Sequence, residues 1–193
     1  MSSTGIDKVL LLCKNPGANL ILEEFIRKSL KHPHQITWSD LHTEGRRLVK
    51  KGDFGLLIVS SRIDDKEAFS VCKLATSHPT ACLLYIADET NLSKKEEKEA
   101  QAAILDIGAA ILIKPLKQSA FAAAINSADM AHIRLCALKK RMDDDKVVNR
   151  AKLILIQTLG FSEEEAHKHI ERQAMNSGRT RADVAFEIVK TYE

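Results

Sequence analysis

An alternation limits this chain more than any other feature. Short apolar runs at Lys8 to Cys13, Gln35 to Trp38, Phe54 to Ser60, Thr80 to Ala87 and Ala109 to Ile113 are separated by stretches with helical spacing. Runs such as Lys8-Val9-Leu10-Leu11-Leu12-Cys13 are apolar almost throughout, as a strand covered on both faces must be. Leu20 to Leu30, Leu41 to Lys51, Lys66 to Ser77 and Ser93 to Asp106 read as the intervening helices, and a fifth begins at Gln118. This alternation predicts an α/β domain with a five-stranded parallel sheet and right-handed crossovers. Asn15-Pro16-Gly17 reads as a turn, and its single glycine does not make a dinucleotide-binding loop.

The pattern then changes. From Phe121 to Asp145 no Pro or Gly interrupts a helical stretch in which Ala124, Ala128, Ala131, Leu135, Leu138 and Met142 recur at alternating spacings of four and three. That is a heptad seam, and Ala128, Ala131, Leu135, Leu138 and Met142 are the expected dimerisation residues. Asp143-Asp144-Asp145 is the expected end of this helix. Val147 to Glu193 then reads as three short helices with explicit punctuation. Gly160 stops the first. Ser162 with Glu165 has the spacing of a capping box, and Phe161 with Ala166 that of a hydrophobic staple. Thr180 and Asp183 repeat the cap-and-acid spacing. Ala166, Ile170 and Ala174 form one core stripe, and Val184, Ala185, Ile188, Val189 and Tyr192 the next. The expected domains are therefore residues 1–122, a helical linker over 123–145, and a small helical domain over 146–193.

Composition excludes several classes. Net charge is +3 and the pI about 8.6, so bulk charge does not announce nucleic-acid binding, and such a function must use a local patch. The cysteines at 13, 72, 82 and 136 are scattered without a CxxC pair, which predicts buried, reduced thiols in a cytosolic protein. The histidines form no ligand set, so neither a metal nor another cofactor is expected. No apolar run approaches the ~20 residues of a membrane span, and no signal-peptide pattern opens the chain. No membrane association is expected, and the expected location is cytoplasmic.

Two resemblances sharpen this reading. Ala151-Lys152-Leu153-Ile154-Leu155-Ile156, Gly160-Phe161-Ser162-Glu163-Glu164-Glu165-Ala166, Ala174-Met175, Arg179-Thr180-Arg181 and Asp183-Val184-Ala185 resemble, in order, the ANTAR domain, the RNA-binding module of transcription antitermination regulators. Leu153 stands where many members carry a small residue. The resemblance implies a dimer that binds stem-loops in a nascent leader mRNA and prevents a terminator hairpin from forming, with no DNA partner. Lys152, Lys168, Arg172, Arg179 and Arg181 are the expected RNA contacts. Arg150 projects nearly opposite Lys152 and is not expected to serve the same RNA.

Gly108-Ala109-Ala110-Ile111-Leu112-Ile113-Lys114-Pro115 resembles the last strand of a response-regulator receiver domain, which implies a flavodoxin-like strand order and makes Lys114-Pro115 a cis candidate. A working receiver needs an acidic pair after its first strand, an acceptor aspartate, a hydroxyl residue and a lysine. Here these positions fall on Cys13 and Lys14, Ser60, Ile86, and Lys114. Mg²⁺ wants oxygen ligands, and a serine without base or metal is a poor acceptor. The expectation is a pseudo-receiver without enzymatic activity, regulated by a protein partner or a ligand sensor. The alternatives are a phosphorylation-dependent response regulator and a protein-binding adaptor without RNA activity.

Overall fold

The structure, a computed structural model, describes residues 5–13, 16–30, 35–40, 43–88 and 92–192, with backbone alone for 16–19. Of the turn expected over Asn15-Pro16-Gly17, Asn15 lies outside the described residues, as do the helix start at Leu41 and the pocket residue Lys14, while Pro16 and Gly17 are helical instead. The chain divides into two compact units, Met1–Cys136 and Ala137–Glu193.

The first unit is a five-stranded parallel sheet in the order β2-β1-β3-β4-β5. Its strands are β1 (Lys8–Cys13), β2 (Gln35–Ser39), β3 (Leu56–Arg62), β4 (Cys82–Asp88) and β5 (Ala110–Ile113). The helices are α1 (Pro16–Ser29), α2 (Thr43–Lys51), α3 (Lys66–Ala75), α4 (Lys94–Asp106) and the start of α5 (Gln118–Leu159). Successive strand residues point to opposite faces, and both faces are covered. Leu10, Leu12, Leu57, Val59 and Tyr85 pack with Val49, Val71 and Ile104. Val9, Leu11, Leu56, Ile58, Leu84 and Ile86 pack with Leu22, Ile26, Phe121 and Ile125. This double burial is why the central runs lack polar alternation.

Local signals set most helix starts. Asp65 caps α3 through the amides of Glu67 and Ala68, and Ser93 with Glu96 closes a capping box on α4. Helix α1 starts at Pro16, earlier than the expected Leu20, because proline at the first helical position forfeits no intrahelical bond. The Lys114-Pro115 peptide is cis. The cysteines are free. Cys13 and Cys72 are buried, but Cys82 and Cys136 are half-exposed, contrary to the expectation for all of them. Within this unit His132 of α5 is buried, its Nδ1 lying 2.7 Å from the Thr80 carbonyl. Its ring rests on Gly55, where a Cβ would come within 2.9 Å of the imidazole.

Helix α5 departs from expectation. It runs unbroken through Asp143-Asp144-Asp145 to Leu159, so the helix does not end at these aspartates as expected. No Gly or Pro lies between Pro115 and Gly160, and aspartate in a helix interior costs under about 0.7 kcal/mol per residue. Ala124 and Ala128 pack against the core of the first unit. Ala131 and Leu135 are half-buried, while Leu138 and Met142 are 54% and 60% exposed.

The second unit takes its first helix from the end of α5 and adds α6 (Glu163–Ser177) and α7 (Arg181–Tyr192). Ala151, Leu155, Ala166, Ile170, Ala174, Val184, Ala185 and Ile188 form its core. Tyr192 does not join it. It is 45% exposed, one turn beyond Ile188, the last buried residue of its stripe. Gly160 and Gly178 take φ of 71° and 63°, the left-handed conformation that lets the chain reverse between helices. Among the described residues no helix is long and apolar enough to cross a membrane.

Candidate nucleic-acid interface

The small helices are placed by their caps. The Ser162 amide donates to Glu165 Oε2 at 2.8 Å, and the Glu165 amide donates to Ser162 Oγ at 3.3 Å. Phe161 packs on the core beside this cap, as a staple residue should. Thr180 and Asp183 make the same exchange at the start of α7, at 3.2 and 3.1 Å. Hydrogen bonds from the Ser162 amide and hydroxyl hold the Glu165 carboxyl below its usual range. Those from the Thr180 hydroxyl and amide do the same for Asp183.

Most expected RNA-contacting cations are held by carboxylates of the same unit. Lys152 Nζ lies 3.2 Å from Glu163 Oε1. Lys168 pairs with Glu164, one turn earlier on α6. Arg179 Nη1 lies 2.7 Å from Glu187, and its Nη2 reaches the Asp183 carbonyl at 3.5 Å. Arg181 Nη1 lies 3.2 Å from Glu171 Oε1, which also receives His167 Nε2 at 3.3 Å. Arg172 is exposed, and no partner is found for it among the described residues.

Lys152 and Arg181 are brought together. Both line an open cleft of about 600 Å³ between α5, α6 and the start of α7, with Arg141, Asp144, Asp145, Asn149, His167 and Thr180. Arg179 and Arg181 also share a shallower hollow with the exposed Met175. Lys168 and Arg172 line neither. Arg141, Asp144, Asp145 and Asn149 were not expected at this site. Their signal was their spacing, which continues the α5 face carrying Val148 and Lys152 and becomes visible once the helix is known to be unbroken. Phe186, at 62% exposed, adds an aromatic surface that the sequence reading did not anticipate.

In the first unit, Cys13, Ser60 and Ile86 form a row across the sheet: Cys13 pairs in register with Ser60, and Ser60 with Ile86. All are buried, and the Ser60 hydroxyl has no hydrogen-bond partner among the described residues. Lys114 forms an ion pair with Asp88 at the end of β4, an acidic residue the sequence reading did not single out. Among the described residues no group of three or more His, Cys, Asp or Glu is placed to hold a metal ion.

The chain thus joins a parallel α/β unit to a small helical unit whose cations are mostly paired with its own carboxylates. Residues 137–189 match the ANTAR domain family: the chain carries an ANTAR domain at its C-terminus and a receiver-like domain before it. An ANTAR domain implies RNA-binding antitermination. Among solved structures, a response regulator receiver protein from Sinorhizobium medicae is similar with a TM-score of 0.51 and 14% identity, covering 67% of this chain and 99% of that one. A protein related to pilus assembly from Burkholderia pseudomallei is similar with a TM-score of 0.50 and 17% identity, covering 68% and 95%. At such identities the likeness establishes the fold alone. No curated protein sequence matches the chain.

Proposed function

We propose that the chain is an RNA-binding transcription antiterminator that grips stem-loops of a nascent leader transcript, and that its receiver-like domain works without phosphorylation. The observation that carries the RNA reading is the ANTAR match over 137–189, with Lys152 and Arg181 converging on one cleft inside it. Lys168, Arg172 and Arg179 extend the basic surface, with phosphates adding salt-dependent affinity and unpaired bases supplying sequence. The domain limits in this reading are 1–122, 123–145 and 146–193, and a homodimer forms through Leu135, Leu138 and Met142, beside Ala128 and Ala131. The absence of phosphotransfer is supported by Cys13 and the buried Ser60 standing where acidic groups are needed. Input comes instead from a protein partner or a ligand sensor. The test is gel-shift binding to the leader RNA upstream of the genes it controls. The combined Lys152→Ala, Arg172→Ala, Arg181→Ala variant should lose binding while circular dichroism is unchanged. Undiminished affinity would rule out this surface.

A further inference from the structure

We infer that Cys136 is a site of covalent modification by low-molecular-weight disulfides, with His132 as its base. Both residues lie on α5 within the first unit, one helical turn apart, so their side chains share a face. Cys136 Sγ is 3.6 Å from His132 Nε2 and 3.9 Å from Nδ1. The Thr80 carbonyl, 2.7 Å from Nδ1, decides which nitrogen carries the proton. A carbonyl oxygen only accepts, so Nδ1 must donate to it. In the neutral ring Nε2 then keeps its lone pair for the thiol. His132 is 7% exposed, so packing and that bond together hold the ring. A thiol beside a base that a third group orients is the arrangement of an activated nucleophile. Cys136 is half-exposed and so within reach of a small reagent. It also falls outside the alternating spacing of Leu135 and Leu138, so the proposed dimer leaves it accessible.

The other thiols are differently placed. Cys82 is also half-exposed, but its Sγ donates to the Ala128 carbonyl at 3.2 Å. Burial, with Cys136 and Asp129 nearby, pushes the Cys82 thiol up to about 11. Cys13 and Cys72 are buried, and burial pushes the Cys72 thiol up to about 12. Among the described residues His132 and Cys136 join no third donor in a metal site, so the chemistry open to the thiol is attack. Attack on a carbonyl needs donors for a developing oxyanion, and the amides of α5 here are spent within the helix. Attack on a disulfide needs only a nucleophile, a place for its proton and access. Cys136 gives its proton to His132 Nε2 as its sulfur attacks one sulfur of the disulfide. The S–S bond breaks, and the departing thiolate takes up that proton. One mixed disulfide on Cys136 and one small thiol result, with no further oxidant. The adduct stands at the last residue of the first unit, on the helix that continues into the second. It gives the chain a covalent input separate from phosphotransfer.

The experiment incubates the reduced full chain with oxidised glutathione and follows adducts at each cysteine by peptide mass mapping, with circular dichroism as the folding check. Cys136 should take one glutathionyl group roughly tenfold faster than Cys82, and dithiothreitol should remove it. Cys82 is the internal control, because it is half-exposed too but donates to a carbonyl instead of a base. His132→Gln keeps a donor for the Thr80 carbonyl and removes the base. It should slow Cys136 roughly tenfold and leave Cys82 unchanged. If His132 only packs, the variant loosens its surroundings, and Cys82 and Cys13 speed up together with Cys136; that result overturns its role as base. Equal wild-type rates at Cys82 and Cys136, or no adduct at Cys136, overturn the site whatever the variant does.

Discussion

Lys152 of α5 and Glu163 of α6 meet 3.2 Å apart across the turn at Gly160, and they are unequally exposed: the lysine side chain is 17% accessible, the glutamate 79%. An exposed carboxylate thus covers a largely sheltered ammonium. In the proposed RNA complex a phosphate must compete with Glu163 for that ammonium. Glu163→Gln should therefore raise RNA affinity by about two- to fivefold, the range of an exposed ion pair. The gain should fade at high salt. Gel-shift titrations at two ionic strengths measure it, and Arg150→Ala is the control expected to have little effect.

The cap of α6 can be tested apart from RNA. Ser162→Ala should cost about 1 kcal/mol, read as a lower melting temperature of the helical signal. Glu165 and Asp183 both have folded pKa values depressed by their caps. The stability they confer is complete above their ordinary values of 4.5 and 3.8, and is lost as pH falls through the lower folded values. Melting curves between pH 7 and pH 3 should show this loss, and Glu165→Gln should flatten it.

Ser60 bears on two questions at once. Its hydroxyl is buried without a partner among the described residues, and an unsatisfied buried polar group costs about 1–3 kcal/mol. Ser60→Ala should therefore stabilise the protein by about 1 kcal/mol, seen as a higher urea midpoint. Incubation with Mg²⁺ and a small phosphodonor should add no phosphate to either protein by intact mass. A phosphoprotein lost on Ser60→Ala would show the pocket to be active.

The proposed dimer seam divides at its middle. Leu138 and Met142 are largely exposed, and fully burying a side chain of this size is worth roughly 1.5–3 kcal/mol. Leu138→Asp with Met142→Asp should give monomers by sedimentation without unfolding. Ala128→Asp should unfold the receiver-like domain instead, because Ala128 already packs on that domain's own core. A wild-type protein that is monomeric at micromolar concentration would refute the seam.

The sequence made the sheet legible because β1 and β3 are covered on both faces and so are apolar almost throughout. The α6 cap was legible because Ser162 and Glu165 interact within one turn, where spacing is geometry. Helix α5 was misread at Asp143 to Asp145. Three acidic residues look like a break, but only Gly or Pro withdraws the backbone from a helix at large cost. Tyr192 was misplaced because periodicity tells which way a residue faces and not where its neighbours end. The cleft was invisible for a third reason: Arg141 and Arg181 are far apart in the chain, and only folding sets them side by side.

Gly55 is a contact made by the lack of an atom. The imidazole of His132 closes to within 2.9 Å of the point where any other residue would carry its Cβ. Even the smallest side chain at position 55 would crowd that ring, which its contact with the Thr80 carbonyl holds in place. The seat of α5 on the sheet is thus written at a residue remote in sequence from the helix, and a single methyl group there would act as a wedge beneath it.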